Sequence, residues 1–200
     1  MFHVKHEGTG ADDVGVAITA EQDSLLHRYE ELLTTRAVPR GLVAASDLPR
    51  LWSRHVLDGL RGAALVSPRA QLGYDVGSGA GLPGIPIAVA LPNLTVVLVE
   101  ARRGRSAFLE SVVNDLALSN VRVHAGRVED LSPGADVCFA RAFGSPSECW
   151  QVIEPLLAAD GAILYWAGRG TTVEVEGARA EAFFTPTLAD AGPIVMMTRQ

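Results

Sequence analysis

Gly77, Gly79 and Gly81 stand at alternate positions, with Asp75 just before them and Glu100 closing the next apolar run. Residues of these types suit chemistry on a nucleotide-like ligand. Glycine lets a ligand lie against bare backbone and permits positive φ. The amides opening a following helix favour a carboxylate or phosphate. An acid about 20 residues further on can accept hydrogen bonds from ribose hydroxyls. A nicotinamide dinucleotide and S-adenosylmethionine both fit, and a purely structural glycine turn is the bland use of the same residues. "GAGLPG" has the dinucleotide form G-x-G-x-x-G. "GSGAG" with Asp75 ahead of it suits the methyl donor, where an acid organises the loop. The chain holds about one sheet's worth of strands and no second domain for a hydride acceptor, which favours the donor.

The pattern of elements says what must position this loop. Residues 1–17 are polar and aperiodic and are expected to be a mobile tail. "TAEQ" (19–22) has the form of a capping box opening a helix whose apolar face includes Leu25, Leu26, Tyr29, Leu32 and Leu33. "SDLPRLWSRHVLDGL" reads as a second helix with Ser46 as its cap. Together, residues 18–70 form a helical N-terminal extension. From 71 to 200 strand and helix alternate: strands in "QLGYDV", "LTVVLVE", "VRVHA", "ADVCFA", "GAILYW" and "IVMMTR", and helices in "GIPIAVAL", "RSAFLESVVNDLAL" and "PSECWQVIEPLLAA". A further helix is expected over Val173–Phe184. This order implies an α/β fold with a mostly parallel central sheet and helices on both faces, in a single compact domain overall.

Two hundred residues, 48% apolar and 20% charged, suit one soluble domain. No run approaches the length of a membrane span, and the N-terminus lacks the apolar core of a secretory leader, so a cytoplasmic protein without a membrane partner is expected. Cys138 and Cys149 make no disulfide framework, and Cys138, inside an apolar strand, reads as a small core residue. His3 and His6 are the faintest of metal signals, and no metal is expected. The net charge of −6 argues against a nucleic-acid partner only if charge is evenly spread. It is not: six arginines and two acids lie between Arg36 and Arg69, and Arg102, Arg103 and Arg105 make a second basic cluster. Local basic surfaces on an acidic protein suit a structured, protein-coated RNA.

The segment "DVGSGAGLPGIPIA", with "LWSRHVLDGL" upstream and "GRVEDL" and "ARAF" downstream, strongly resembles the bacterial small-subunit ribosomal RNA guanine-N7 methyltransferases, once known as glucose-inhibited division protein B. The resemblance runs from about Leu25 to Gly168, and the opening "MFHVKH" shares it. It implies a Rossmann-like class I methyltransferase fold behind a helical N-terminal extension, with S-adenosyl-L-methionine as cofactor and 16S rRNA, within the small ribosomal subunit, as partner; a monomer is expected. By motif match, Gly77 and Leu82 line the donor site beside Asp75, Gly79 and Gly81. Val128 and Glu129 flank the adenine, Glu100 takes the ribose, and Arg141, also counted among the donor-binding residues, sits at the mouth of the site. Arg141 and His55 are the candidates for catalysis by positioning, and Arg54, Arg102, Arg103, Arg105 and Arg169 for holding RNA. Family members often carry lysine before the glycine that follows the fifth strand. Here "WAGRG" puts Ala167 there, with Arg169 as the nearest substitute.

The implied chemistry needs no general base, because guanine N7 carries a lone pair and no proton. "ARAFGS" lacks the Asn/Asp-Pro-Pro-aromatic motif used on exocyclic amines, and no Pro-Cys pair offers a nucleophile. Three other functions compete: a small-molecule methyltransferase, an NAD-binding oxidoreductase, and a donor-binding ribosome-assembly protein without turnover.

Overall fold

The computed structural model describes residues 10–171 and 173–200. His3 and His6 lie outside them. Seven strands form one sheet in the order β3-β2-β1-β4-β5-β7-β6: β1 (Leu72–Val76), β2 (Thr95–Val99), β3 (Val121–His124), β4 (Ala135–Arg141), β5 (Leu157–Trp166), β6 (Ala178–Phe183) and β7 (Ile194–Arg199). The first five are parallel, and β7 runs antiparallel to both β5 and β6. The strand order reverses between β1 and β4, the position where open α/β sheets bind ligands.

Side chains alternate across the sheet. Val137 and Phe139 enter one core with α3 (Gly84–Ala90), α4 (Arg103–Asp115) and the N-terminal helices. Cys138 and Ala140 enter the other, beneath α5 (Pro146–Ile153). Helix α1 (Ala20–Leu32) carries the expected capping box: the Gln22 amide donates to the Thr19 hydroxyl, and the Gln22 side chain accepts from the Thr19 amide at 2.8 Å. Tyr29, buried on its apolar face, crosses to the sheet and donates a hydrogen bond to the Ala80 carbonyl at 2.9 Å.

The second helix differs from expectation. It is a mixed segment: a 3₁₀ turn (Ala45–Arg50), a π-helical stretch (Trp52–Leu57), the short α2 (Asp58–Leu60) and another 3₁₀ turn (Arg61–Leu65). Ser46 does not cap it, since Ala44 holds the cap position and makes no side-chain bond. Pro49 supplies no N–H to the developing ladder, so a regular α-helix does not start there. The segment passes very close to the sheet. A Cβ on Gly62 would lie 2.5 Å from the Trp166 ring, so only glycine fits.

Three other expectations are corrected. Within the stretch read as a mobile tail, residues 10–17 pack onto the fold, with Ala11, Val14 and Val16 buried and the Asp13 carbonyl accepting from the Thr187 hydroxyl at 2.6 Å. Helix α5 stops at Ile153, because Pro155 cannot continue the ladder, and β5 begins at Leu157. The helix expected over Val173–Phe184 is not there. Ala178–Phe183 is the edge strand β6, paired in register with β7. Alanine, glutamate and arginine favour helix locally, but a period-two run beside a free strand edge is decided by pairing.

Candidate active site

The loop after β1 is shaped by main-chain geometry. Gly77, Gly79 and Gly81 all have positive φ, at 74°, 58° and 96°. The Gly77 and Ser78 amides donate to the Val99 carbonyl, and the Gly79 amide donates to Glu100 Oε2 at 3.2 Å. Glu100 also accepts from the Arg102 amide at 2.9 Å, so its buried carboxylate ties the loop to the start of α4. The Glu100 amide in turn donates to the His124 carbonyl, which draws in the end of β3 and the turn carrying Val128 and Glu129. A Cβ on Gly79 would meet only the Gly77 carbonyl, at 3.8 Å, so its face of the loop is open to a ligand.

Asp75 lies beneath the loop, fully buried. Its Oδ2 accepts from the Gly84 amide at 3.1 Å, and its Oδ1 is shut from solvent with no partner. Burial pushes its pKa up to about 7, against the lowering effects of the Ser78 hydroxyl, the Gly84 amide and the Arg141 charge. The register sets Val76 beside Ala140, so Arg141 stands next to the glycine loop. Immediately after it, Ala142 has φ of 55°, a left-handed conformation unusual for a residue with a Cβ.

A cleft of about 930 Å³ opens on the other side of Arg141. The mixed helical segment, the ends of β4 and β5 and the 187–192 loop form its walls, and Arg50, Arg54, Arg61, Arg141 and Arg169 line it against two acids, Asp58 and Asp190. Here side chains do the shaping. Asp58 Oδ1 accepts from Arg61 Nε at 2.9 Å, its Oδ2 lies 3.4 Å from Arg141, and its carbonyl accepts from Trp166 Nε1 at 2.6 Å. Arg61, almost fully buried, also donates to the Gly192 carbonyl at 2.8 Å. Asp47 Oδ2 lies 2.9 Å from His55 Nε2, while its Oδ1 accepts from Arg50. Burial opposes ionisation of Asp47, but its hydrogen bonds with His55 and Arg50 outweigh that and hold its carboxyl below the usual range. For His55, burial and the neighbouring Arg141 charge lower the pKa despite Asp47, leaving a neutral ring at pH 7.

The structure thus gathers Asp75, Gly77, Gly79, Gly81 and Glu100 at one loop, with half-buried Leu82 at its far end. Arg141, His55 and Arg54 meet directly: Arg141 Nη2 donates to the Arg54 carbonyl at 3.1 Å and lies 3.2 Å from His55 Nδ1. Arg102, Arg103 and Arg105 are on the far side of Glu100 and do not line the cleft. Arg169 lines it but is turned to the Ala189 carbonyl and the Asp190 carboxylate, and Ala167 is buried. Cys138 and Cys149 are buried, and burial raises both thiols, Cys149 to about 12. Among the described residues no group of three or more metal-ligating side chains gathers, and no helix is long and apolar enough to cross a membrane.

Sequence reasoning missed Asp47, Asp58 and Arg61 as site residues, and read Tyr29 only as core. Asp58 lay within the quoted motif, but a carboxylate among helical residues gives no sign of which arginines it will meet.

Comparison with known proteins agrees with this geometry. The profile of the rRNA small subunit methyltransferase G (GidB) family matches residues 22–191. The ribosomal RNA small subunit methyltransferase G of Arthrobacter sp. (strain FB24) is 40% identical over 168 residues, covering 81% of this chain and 76% of that protein. The protein of the same name from Mycolicibacterium paratuberculosis is 36% identical over 198 residues, covering 88% and 79%. Among solved structures, a mutant of MtNAS in complex with S-adenosylmethionine superposes with a TM-score of 0.60 at 16% identity, covering 88% of this chain and 73% of that one. At that identity the likeness speaks for the fold alone. Profile, relatives and the glycine loop agree: the chain belongs to the rRNA small subunit methyltransferase G family.

Proposed function

We propose that this protein is a monomeric cytoplasmic enzyme that methylates N7 of one guanine in 16S rRNA, acting on the small ribosomal subunit and using S-adenosylmethionine. The observation that carries the reading is the contiguity of the two sites at Arg141, a ligand loop of three positive-φ glycines on one side and an arginine-lined cleft on the other. The loop suits the donor on its own terms: Gly79 offers an open face, Glu100 keeps lone pairs beyond those its two amides use, and Asp75 presents an unpartnered oxygen. Gly77, Gly79, Gly81 and Leu82 hold the methionine end, Glu100 the ribose, and Val128 and Glu129 the adenine.

When bound, S-adenosylmethionine supplies a methyl on a sulfonium, whose carbon–sulfur bond breaks toward sulfur as the N7 lone pair forms the new bond, so that positive charge passes to the guanine and no proton leaves. The protein's task is therefore alignment, holding the reacting atoms roughly 3–3.5 Å apart. Arg141 orients the base from the junction of the two sites. Arg50 and Arg54 carry positive charge to RNA phosphates at the cleft mouth, and Arg102, Arg103 and Arg105 extend that field beyond Glu100.

The test is transfer of labelled methyl to small subunits and to protein-free 16S rRNA from cells lacking this methylation. Label recovered as 7-methylguanosine with wild-type protein, and absent with Gly77→Asp, is the expected result. S-adenosylhomocysteine should raise the melting temperature, and a nicotinamide dinucleotide should not. Donor binding without label in either RNA would remove ribosomal RNA as the substrate.

A further inference from the structure

Resting on that reading, the way the glycine loop is pinned deepens it. Gly77, Gly79 and Gly81 leave bare backbone for a ligand, but the same freedom opens other shapes to the chain, so something must select one. The sheet holds the first half of the loop: the Gly77 and Ser78 amides donate to the Val99 carbonyl, and the Gly79 amide to Glu100. The second half turns on the peptide plane between Ala80 and Gly81. Its amide, on Gly81, donates to the Ser78 carbonyl at 2.7 Å, inside the loop. Its carbonyl, on Ala80, is held from outside the sheet, by the Tyr29 hydroxyl of α1 at 2.9 Å.

Tyr29 is fully buried, and Ala80 almost so. Burial, with the Asp75 charge second, raises the Tyr29 pKa well above the usual phenol range, so the hydroxyl keeps its proton and donates. The loop also passes close to it, since a Cβ on Gly81 would lie 3.2 Å from the hydroxyl oxygen. Without the hydroxyl, the Ala80 carbonyl would be left unpaired in the interior, a state that favours any rearrangement giving it a partner. The glycine that follows makes rotation of the plane easy. Rotation breaks the bond from Gly81 to Ser78 as well, and undoes the turn that carries the open face at Gly79.

We propose that Tyr29 is a positioning residue for the methyl donor: its hydroxyl, delivered by the N-terminal helical extension, fixes the Ala80–Gly81 peptide plane and so holds the glycine loop in the shape that binds S-adenosylmethionine. The extension is thereby part of the donor site as well as a wall of the cleft. The effect is on the population of the binding shape. A loop that holds its shape a tenth of the time binds about tenfold more weakly, yet saturating ligand draws it back.

The experiment compares wild type, Tyr29→Phe and Leu33→Ala. Tyr29→Phe removes one oxygen and keeps the ring. Leu33→Ala opens a cavity in the same core, one turn further along the chain, and leaves the hydroxyl in place. Four quantities are read: S-adenosylhomocysteine affinity by calorimetry, kcat and KM for methyl transfer to small subunits, melting temperature, and exchange of the Gly81 amide hydrogen by NMR. Tyr29→Phe should weaken S-adenosylhomocysteine binding by about tenfold and raise the KM for S-adenosylmethionine alike, the scale of one hydrogen bond. Its kcat at saturating methyl donor and its KM for subunits should stay within about twofold. Gly81 exchange should quicken by about tenfold in the free protein and return to the wild-type rate with S-adenosylhomocysteine bound. Leu33→Ala should lower the melting temperature further than Tyr29→Phe does, with affinity within about twofold of wild type. An affinity loss below about threefold in Tyr29→Phe, an unchanged Gly81 exchange rate, or a fall in kcat that saturating methyl donor does not repair would each overturn the proposal. So would affinity losses in the two variants that simply follow their melting temperatures. Failure of wild type to bind S-adenosylhomocysteine at all would instead count against the functional reading.

Discussion

At the glycine loop, main-chain amides and carbonyls from three consecutive strand ends meet one another and two buried carboxylates. At the neighbouring cleft, arginine and aspartate side chains from distant parts of the chain meet one another. Both sites lie at the edge where β1 and β4 diverge, and Arg141 belongs to both. The difference teaches where each can fail. A loop built from backbone geometry is sensitive to φ and to added volume. A cleft built from paired charges is sensitive to the loss of one partner, which leaves the other buried and uncompensated.

The largest effect should come from the cleft. Arg61→Met removes both the Nε contact to Asp58 and the bond to Gly192, while roughly keeping the volume of the stem. We expect a loss of about 3 kcal/mol in stability by urea denaturation, since the Asp58 carboxylate keeps only its more distant contact with Arg141. A change below about 1 kcal/mol would mean that the cleft is not held by this network. Next is Gly79→Val, which forces a β-branched side chain into left-handed φ at the open face of the loop. S-adenosylhomocysteine affinity by calorimetry should fall by about 100-fold, or roughly 2.7 kcal/mol. RNA affinity should hardly move, and an equal loss of both would erase the distinction between the two sites.

Asp75 sharpens the comparison through pH. Its folded pKa of about 7 lies above the unfolded value near 3.9, so the folded protein holds a proton that the unfolded chain releases. The stabilising effect of that proton is complete below the unfolded pKa and is lost as pH rises through 7. Asp75→Asn should therefore gain in melting temperature relative to wild type between pH 5 and pH 8, while binding the donor less well. A constant difference across that range would show that Asp75 does not titrate there. The smallest effect belongs to the outer cluster. Arg102→Ser with Arg103→Ser should leave stability within about 0.5 kcal/mol. If both touch phosphates, the double variant should reduce the salt dependence of RNA binding by a slope of about 1–2. An unchanged slope would confine RNA contact to the cleft.

Legibility in the sequence follows the same division. The parallel strands, α1 with its capping box, and the loop from Asp75 to Gly81 were readable because their determinants are local. Apolar runs, a Thr-x-x-Gln pair and alternating glycines act on their own neighbourhood. Glu100 was readable because the βαβ unit fixes its distance along the chain. The link between Arg61, Asp58 and Arg141 was not, because arginines look alike until the fold chooses their acceptors. Ala178–Phe183 misled for a related reason: its residues favour helix, and only the free edge of β7 makes them a strand. The close approach of the Ala45–Leu65 segment to Trp166 was not legible either, because nothing near Gly62 announces it.

The most direct measurement locates the methyl group. Wild-type protein, S-adenosylmethionine and undermethylated small subunits would be incubated together, and the 16S rRNA then cleaved chemically at 7-methylguanosine. The account predicts one new cleavage, at a single guanine, appearing in proportion to the label transferred. Label without cleavage, or cleavage at many guanines, would contradict alignment of one N7 by Arg141 at the meeting point of the loop and the cleft.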